Sequence, residues 1–203
     1  MIRNILATLF FTFSFLVSIS QPTIQWQKAL GGSLEDTGGP IQQTNDGGFI
    51  VAGFADSNDG DASGNHGEAD LWVVKLNNTG TIEWQKSLGG SSRDGTGSIL
   101  MANDGGGSIQ QTNDGGYIVA GTSYSNDGDV SGNHGEADAW VVKLSSIGKI
   151  EWQKSLGGSG YDGSRFIQQT NDGGYILAGY SNSNDGDVSW QSWYCRFLGG
   201  ETK

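Results

Sequence analysis

Two acidic loops carry the residues best suited to chemistry in this chain. The loop "SNDGDASGNHGEAD" begins at Ser57, and "SNDGDVSGNHGEAD" begins at Ser125 with almost the same letters. Carboxylate oxygens on a flexible, glycine-rich loop are ligands that suit Ca²⁺. The sequence therefore predicts two calcium sites, formed by Asp59, Asp61 and Asp70 in the first loop and by Asp127, Asp129 and Asp138 in the second.

A second interpretation of the same loops requires no ion. Their spacing does not fit the EF-hand pattern D-x-[DN]-x-[DN]-G-x₅-E. Asp and Asn side chains also bond to their own backbone in tight turns, and Asp70 or Asp138 would then cap the strand that follows. His66 and His134 occur once in each loop, where a hydrogen bond within the loop explains them without a metal. Both interpretations stay open at the level of sequence.

Other motifs in the chain do not predict an active site. "LGGSS" and "LGGSG" lack the Lys and the spacing of a phosphate-binding loop. No Ser-His-Asp set stands out from the repeats, and the single cysteine, Cys195, cannot form an internal disulfide bond. Trp26, Trp84 and Trp152 would suit sugar binding, but one Trp at the same position in each repeat is what packing between repeats requires.

Composition and charge restrict the class of protein. The 203 residues suit one domain, and 35 glycines with two prolines and no Gly-X-Y period indicate many turns between short strands rather than collagen. A formal net charge of -11 argues against nucleic acid and anionic membranes as partners.

The N-terminal residues predict export. Residues 1–20 carry a single charge, Arg3, followed by an apolar run, and they end in small residues that suit a signal peptidase. The run is short for a membrane-spanning helix, which needs about 20 apolar residues. We therefore expect a signal peptide in residues 1–20, cleavage before Gln21, and a mature chain that is secreted or held at the cell surface without spanning the membrane.

Three copies of one sequence unit fill residues 21–189. Trp26, Trp84 and Trp152 each lie in "I[QE]WQK[AS]LGGS", at spacings of 58 and 68 residues. The phrase "IQQTNDGG[FY]I[VL]AG" recurs with the same two spacings. The ten additional residues correspond to "SILMANDGGG" (98–107), which duplicates the segment after it and would add a loop or strand at a surface turn. The units start near residues 24, 82 and 150.

Each unit contains four predicted strands. A Trp strand such as "TIEWQKSL" comes first, followed by "SIQQT" and "YIVAGTS", which flank the hairpin signal "NDGG". The fourth strand, "AWVVKL", is joined to the next Trp strand by the turn "SSIG". Because no stretch of the mature chain shows helical periodicity, we predict an all-β fold. Repeated units of four antiparallel strands are typical of β-propeller blades, which hide their two apolar faces against neighbouring blades.

The ordered motifs resemble those of a known repeat family. The order "D-x-WVVKL-xxx-G-xI-x-WQKSLGGS-xx-D … IQQT-NDGGYIVAG-xS" closely resembles the β-propeller repeats of secreted and cell-surface proteins from bacteria and archaea. The resemblance covers nearly all of residues 24–189. It implies a surface-exposed propeller, often attached to adhesion or sorting modules, and it assigns no catalytic residues.

The last residues, 190–203, depart from the repeat. The third copy follows the others up to Ser189 and then reads "WQSWYCRFLGGETK". Plausible codons for this string, read one nucleotide out of frame, give Gly-Asn-His-Gly-Ile-Ala-Asp-Phe-Trp-Val-Val-Lys-Leu, which is the missing repeat. We therefore expect a frameshifted tail and loss of the third unit's fourth strand. About three units would then form an incomplete, truncated propeller with an exposed edge, because propellers have about four to eight blades.

The sequence as a whole predicts an exported, non-enzymatic β-propeller repeat protein, or a fragment of one, that acts as an interaction module. Its partner would be a protein or glycan at the cell surface. Two alternatives remain. "GKIEWQK" also resembles the Trp-containing turn of quinoprotein dehydrogenase blades, although the quinone and metal ligands of that enzyme class cannot be placed in this chain. The acidic loops also suit a calcium-stabilised adhesion repeat.

Overall fold

Short antiparallel strands make up this computed structural model, which describes residues 21–95, 108–188 and the strand of residues 195–199. Sheet 1 contains β1 (Asp36–Gln43), β2 (Phe49–Ala55), β3 (Asp70–Leu76) and β4 (Ile82–Leu88). Sheet 2 contains β5 (Asp94–Gly95), β6 (Ser108–Gln111), β7 (Tyr117–Ser123), β8 (Asp138–Leu144) and β9 (Ile150–Leu156). Sheet 3 contains β10 (Asp162–Gln169), β11 (Tyr175–Ser181) and β12 (Cys195–Gly199). The all-β prediction is confirmed, and these sheets do not form a closed ring within the described residues.

The Trp-containing strand is the last strand of its sheet rather than the first. β4 pairs with β3 in register from Leu71↔Leu88 to Leu76↔Ile82. A short turn joins the two strands, and its Gly80 has a φ of 78°. The predicted hairpin between these strands is confirmed, but each sheet begins at the "IQQT" strand, one strand later than the order inferred from the sequence. Strands joined by so short a turn must lie side by side, because the turn cannot reach another sheet.

The ten additional residues of the second unit lie, in sequence, within the first strand of sheet 2, at the position where the first strands of the other sheets are irregular. In sheets 1 and 3 this strand shifts register, between Gly38 and Ile41 and between Ser164 and Phe166. In sheet 2 it is divided into β5 and β6, and both pieces pair with β7. The two pieces together therefore take the place of one strand. The duplicated segment 98–107 lies outside the described residues.

The tail contributes a strand to sheet 3. β12 pairs with β11 from Gly179↔Cys195 to Tyr175↔Gly199. This is the place that β3 takes beside β2 and that β8 takes beside β7. The prediction that the third unit loses this strand is therefore wrong. Antiparallel pairing uses backbone groups, so a segment with a different sequence can fill the position.

Apolar side chains lie between the sheets in layers that repeat. One cluster joins sheets 1 and 2 and includes Ile50 and Val119. A second joins sheets 2 and 3 and includes Ile118 and Leu177. A third, around Trp72, lies on the other face of sheet 1. Every residue of β3 and β8 is buried, so both faces of these two strands are covered.

The repeated Trp residues pack on the next sheet. The rings of Trp84 and Tyr117 lie edge to face with centroids 5.7 Å apart, and Trp152 and Tyr175 repeat the contact at 5.6 Å. The Trp84 ring also covers Gly148, the turn glycine of sheet 2. The prediction that the repeated tryptophans serve packing between repeats is confirmed for Trp84 and Trp152, each of which packs on the sheet after its own.

None of the described residues form a helix long and apolar enough to cross a membrane. The predicted signal peptide, residues 1–20, lies outside the described residues.

We expect the substitution Gly148→Ala to destabilise the protein more than Gly115→Ala does. Both glycines have a positive φ, 76° and 83°, so alanine adds backbone strain of about 1 kcal/mol at either position. A Cβ atom at Gly148 would also lie 2.9 Å from the Trp84 ring, whereas one at Gly115 would meet nothing within 4 Å. Urea unfolding should show an additional loss of about 1–3 kcal/mol for Gly148→Ala. Equal losses in the two variants would contradict packing of Trp84 against the next sheet.

Candidate functional site

The acidic loops connect β2 to β3 and β7 to β8, and each lies against an "LGGS" segment. The first segment precedes β1, and the second, residues 88–91, leads from sheet 1 to sheet 2. Asp59 Oδ1 accepts a hydrogen bond from the backbone N–H of Ser33 at 2.8 Å. Asp127 Oδ1 accepts one from the backbone N–H of Ser91 at 2.7 Å. In the third sequence unit, Asp185 Oδ1 accepts the equivalent bond from the Ser159 N–H at 2.8 Å. The bond from Ser91 lowers the pKa of the Asp127 carboxyl.

The second aspartate of each loop is held through its backbone. The N–H of Asp61 donates to the carbonyl of Gly31 at 3.0 Å, and the N–H of Asp129 donates to that of Gly89 at 2.9 Å. Gly128, with a φ of 63°, makes this approach possible, because a Cβ there would crowd the glycines of the "LGGS" segment. Each loop therefore docks on its "LGGS" segment through backbone contacts.

The third aspartate of each loop is fully buried at the start of a strand. Asp70 Oδ2 accepts a hydrogen bond from the backbone N–H of His66 at 2.9 Å and lies 2.7 Å from its Nδ1. His134 and Asp138 repeat these contacts at 3.1 and 2.6 Å. The expectation that each His makes a hydrogen bond within its loop is confirmed.

The structure does not bring the predicted calcium ligands together. Asp59 binds the "LGGS" segment from the surface, whereas Asp70 is buried beside His66. Across the described ranges, no three His, Cys, Asp or Glu side chains lie close enough together to hold a metal ion. Calcium binding stays a prediction for all six residues, which are Asp59, Asp61, Asp70, Asp127, Asp129 and Asp138.

Sequence reasoning missed a second buried carboxylate at each junction between sheets. Asp94 Oδ2 accepts hydrogen bonds from the Gly90 N–H and the Ser125 hydroxyl, both at 2.7 Å, and Asp94 Oδ1 accepts one from the Ser123 hydroxyl. Asp162 repeats the first two bonds at 2.7 Å. The available signal was an Asp six residues after the Leu of every "LGGS", at positions 36, 94 and 162.

The two carboxylates of a junction approach each other across a glycine. A Cβ atom at Gly89 would lie 2.5 Å from Asp70 Oδ1 and 2.6 Å from Asp94 Oδ2. At the second junction, Asp138 and Asp162 flank Gly157 at 2.5 and 2.7 Å in the same way. Within the described residues, Asp70 Oδ1 and Asp138 Oδ1 are buried and accept no hydrogen bond. The carboxylates therefore leave room only for a residue without a side chain.

Burial governs the charge at these junctions. Removal from water raises the pKa of Asp70, Asp94 and Asp138, and the neighbouring carboxylate adds to the increase at Asp70 and Asp138. The hydrogen bond to Asp138 raises the pKa of His134. The His134 side chain is 40% exposed, so it can exchange a proton with water. Each junction thus combines two buried carboxylates with one imidazole at its edge.

A buried lysine ties together the two hairpins of a sheet. Lys75 is 2% exposed, and its Nζ lies 2.9 Å from both Asp46 and Glu83. Lys143 repeats the arrangement, with Asp114 at 3.0 Å. Burial acts to raise the pKa of Asp114, yet hydrogen bonds, including the one from Lys143, hold it at about 2. Sequence reasoning used the letters "KL" only as a mark of the repeat and missed these ion pairs.

The junction between sheets 2 and 3 carries a tyrosine patch, which we define as Tyr124, Tyr161, Tyr180 and Arg165. The rings of Tyr161 and Tyr180 stack with centroids 5.5 Å apart, and Tyr124 lies 5.7 Å from Tyr161. The Arg165 guanidinium lies 5.8 Å from the Tyr180 ring centroid. At the first junction, the positions of the three tyrosines are taken by Asp56, Arg93 and Thr122. Repeats that agree closely elsewhere therefore differ here.

No protein-family model matches the chain, and no curated protein is similar enough to be matched. The geometry of the junctions is therefore the basis for a functional proposal.

We expect the protein to be more stable near pH 6 than near pH 8.5. Because the pKa of His134 is raised above its ordinary 6.5 in the folded state, its stabilising contribution is complete below that value. The contribution is lost as the pH rises through the folded-state pKa. The pKa values of Asp70, Asp94 and Asp138 are also raised, so the folded state holds those protons more tightly than the unfolded state does. These groups therefore also make the protein less stable as the pH rises, over a lower pH range. Urea midpoints measured across this range test the trend.

The variant His134→Gln is the control for this pH dependence. Its amide can still donate a hydrogen bond toward Asp138 but cannot take up a proton. We expect a flatter dependence of the urea midpoint on pH in this variant. A slope equal to that of the unmodified protein would show that His134 is not the responsible group.

We expect Lys143→Met to lower the free energy of unfolding by about 1–2 kcal/mol. The loss stays moderate because Asp114 and Glu151 are 59% and 45% exposed, so neither is left buried without a partner. Lys154→Met, at an exposed position of β9, is the matched control and should change stability by less than about 0.5 kcal/mol. The same small change in both variants would argue against a structural role for the buried lysine.

Proposed function

We propose that this chain is an exported, non-enzymatic repeat protein whose sheets stack around a common axis, as the blades of a β-propeller do. It acts as an interaction module in the secreted state or at the cell surface. One observation carries the proposal: the two junctions between sheets are built from the same contacts. The Asn45 N–H donates to Gln111 Oε1 across the first junction, and the Asn113 N–H donates to Gln169 Oε1 across the second, both at 2.9 Å.

Repetition of one contact set favours a ring-like stack. If nearly the same rotation and translation relate each sheet to the next, repeating that operation arranges the sheets around an axis. The resemblance of the repeat motifs to propellers of secreted and cell-surface proteins supports the same arrangement. The apolar N-terminal residues 1–20 support export.

Repetition of the ionisable groups supports a non-enzymatic role. The pair His66–Asp70 recurs as His134–Asp138, with similar distances of 2.7 and 2.6 Å. A catalytic site requires one set of groups that converge in one pocket. A packing contact, by contrast, recurs wherever the same two surfaces meet. The buried aspartates and histidines of this chain follow the second pattern.

The tyrosine patch is our candidate for the surface that contacts a partner. Tyr and Arg side chains contribute most of the binding energy in many interfaces. All four side chains of the patch are half-buried, so they are held in place and still reach the surface. The patch offers ring edges and a guanidinium to a protein or a glycan, whereas the Tyr180 hydroxyl is buried. Because the repeats differ at this place, packing common to all repeats does not explain its residues.

A binding assay tests this proposal. The exported chain is applied to a glycan array and to a displayed-peptide library, and we expect at least one specific ligand. Affinity for that ligand should fall about tenfold or more in the double variant Tyr124→Ala, Arg165→Ala. Ile147→Ser, at a turn position that is 71% exposed, is the control and should bind as the unmodified chain does. Equal binding by the double variant, or no ligand in either assay, would overturn the proposal.

A second assay separates the proposal from an enzymatic role. Pyrroloquinoline quinone is titrated into the protein, and tryptophan fluorescence reports binding. We expect no saturable quenching. Tight binding of the quinone would contradict the non-enzymatic interpretation and favour the quinoprotein alternative.

A further inference from the structure

No other described sheet covers one face of sheet 1. That face carries, exposed, residues whose counterparts in sheets 2 and 3 are buried or half-buried at a junction. Ile41 is 60% exposed, whereas its counterparts Ile109 and Ile167 are 6% and 5% exposed because each packs against the preceding sheet. Gln43 on the same strand is also exposed, although its counterpart Gln111 is half-buried. We call the surface formed by Ile41 and Gln43 the leading face.

Sheet 3 exposes the other half of a junction. Ala178 is exposed and Ile176 is half-buried, whereas the corresponding residues of sheet 2, Ala120 and Ile118, are fully buried against sheet 3. Gln168 is also exposed, in contrast to its half-buried counterparts Gln42 and Gln110. We call the surface formed by Gln168, Asn171, Ile176 and Ala178 the trailing face.

The hydrogen-bonding groups of the two faces are complementary. At the first junction, Gln42 Oε1 accepts a hydrogen bond from the Gln111 N–H at 2.6 Å, and Gln111 Oε1 accepts one from Asn45. Applied to the two outer faces, the same contacts pair Gln168 with the Gln43 N–H and the Asn171 N–H with Gln43 Oε1. The trailing face therefore carries the partners that the leading face requires.

The segment before β1 also indicates that another sheet belongs on the leading face. The rings of Trp26 and Phe49 lie 5.7 Å apart, as those of Trp84 and Tyr117 do, and Trp26 covers Gly80 as Trp84 covers Gly148. This segment thus lies on sheet 1 in the way that β4 lies on sheet 2. It pairs with no described strand, and the described part of sheet 3 contains three strands and no equivalent of β4.

We propose that a second copy of this chain occupies these faces, so that the trailing face of each copy packs on the leading face of the other and two copies close a ring of six sheets. The inference rests on the proposed stacking of sheets around an axis. A contact between two different faces gives a ring if it closes and a filament if it does not. Two copies give six sheets, which lies within the range of about four to eight blades that propellers use.

The mass of the protein in solution tests the ring. We measure light scattering after size exclusion and sedimentation equilibrium over a wide concentration range, and we expect the mass of two copies with no further growth. The variant Ile41→Lys places a charge in the contact and should weaken dimerisation at least 100-fold. Ile147→Lys, at a position that is 71% exposed, should leave the mass unchanged. Because Ile41 is already exposed in one copy, an unchanged urea midpoint at low concentration will show that the variant folds.

Thiol cross-linking tests which faces meet. Cys195→Ser is introduced throughout, one preparation carries Gln43→Cys, and a second carries Asn171→Cys. A short bis-maleimide should link the mixed preparations and should link neither preparation to itself. The pair Asn45→Cys and Gln111→Cys within one chain is the positive control, because it reproduces the contact seen at the first junction.

Four outcomes would overturn the proposal: a monomer at every concentration, a polymer that grows with concentration, a dimer that survives Ile41→Lys, or cross-linking that fails while the positive control succeeds. A monomer that still binds a ligand through the tyrosine patch would leave the proposed interaction function intact.

Discussion

Burial of β3 and β8 on both faces is the constraint on which the rest of this structure depends. Every residue of these two strands is withdrawn from water, and each face is covered by a different apolar layer. A buried Val, Leu or Ile side chain contributes about 1.5–3 kcal/mol relative to an exposed one. A sheet separated from its neighbours would therefore lose the contribution of an entire layer. The unit of stability is therefore the pair of adjacent sheets.

Polar contacts determine how the sheets are aligned. Apolar burial has no preferred direction, so it does not by itself fix one sheet relative to the next. Hydrogen bonds do fix the alignment, because a buried donor or acceptor without a partner is costly. The bonds from Ser91 to Asp127 and from Ser125 to Asp94 hold the connecting segment on sheet 2. The carbonyl of Ala69, immediately before β3 of sheet 1, accepts the Asp94 N–H at 2.6 Å. Asp127, one of the aspartates that suggested metal binding, thus has a role in joining the sheets.

Local features of this structure were predictable from the sequence. The "NDGG" turns form hairpins as expected, because Gly47 takes a positive φ of 81° and Asp46 accepts the Gly48 N–H at 2.9 Å. The packing role of the tryptophans followed from their recurrence. These features depend on residues close in sequence or on the repeat itself, so a single chain contains the information.

Features that depend on distant contacts could not be predicted. Alternation of apolar residues identifies the Trp strand but does not tell which neighbour it pairs with, so its place in the sheet was missed. The role of Asp94 depends on Ser125, 31 residues away, and nothing local indicates it. Asp59 and Asp70 are near each other in sequence but bind different segments. β12 formed against expectation because backbone pairing tolerates a changed sequence.

The divided first strand of sheet 2 has a consequence for how such a protein can change. β5 and β6 keep their pairing with β7 although residues 96–107 stand between them. The sheet therefore tolerates a variable length of chain at this point without loss of alignment on either side. In evolution, a duplicated fragment can persist here and diverge into a new loop while the surrounding fold is preserved. For protein engineering, the same point is a site where a foreign peptide can be grafted and displayed.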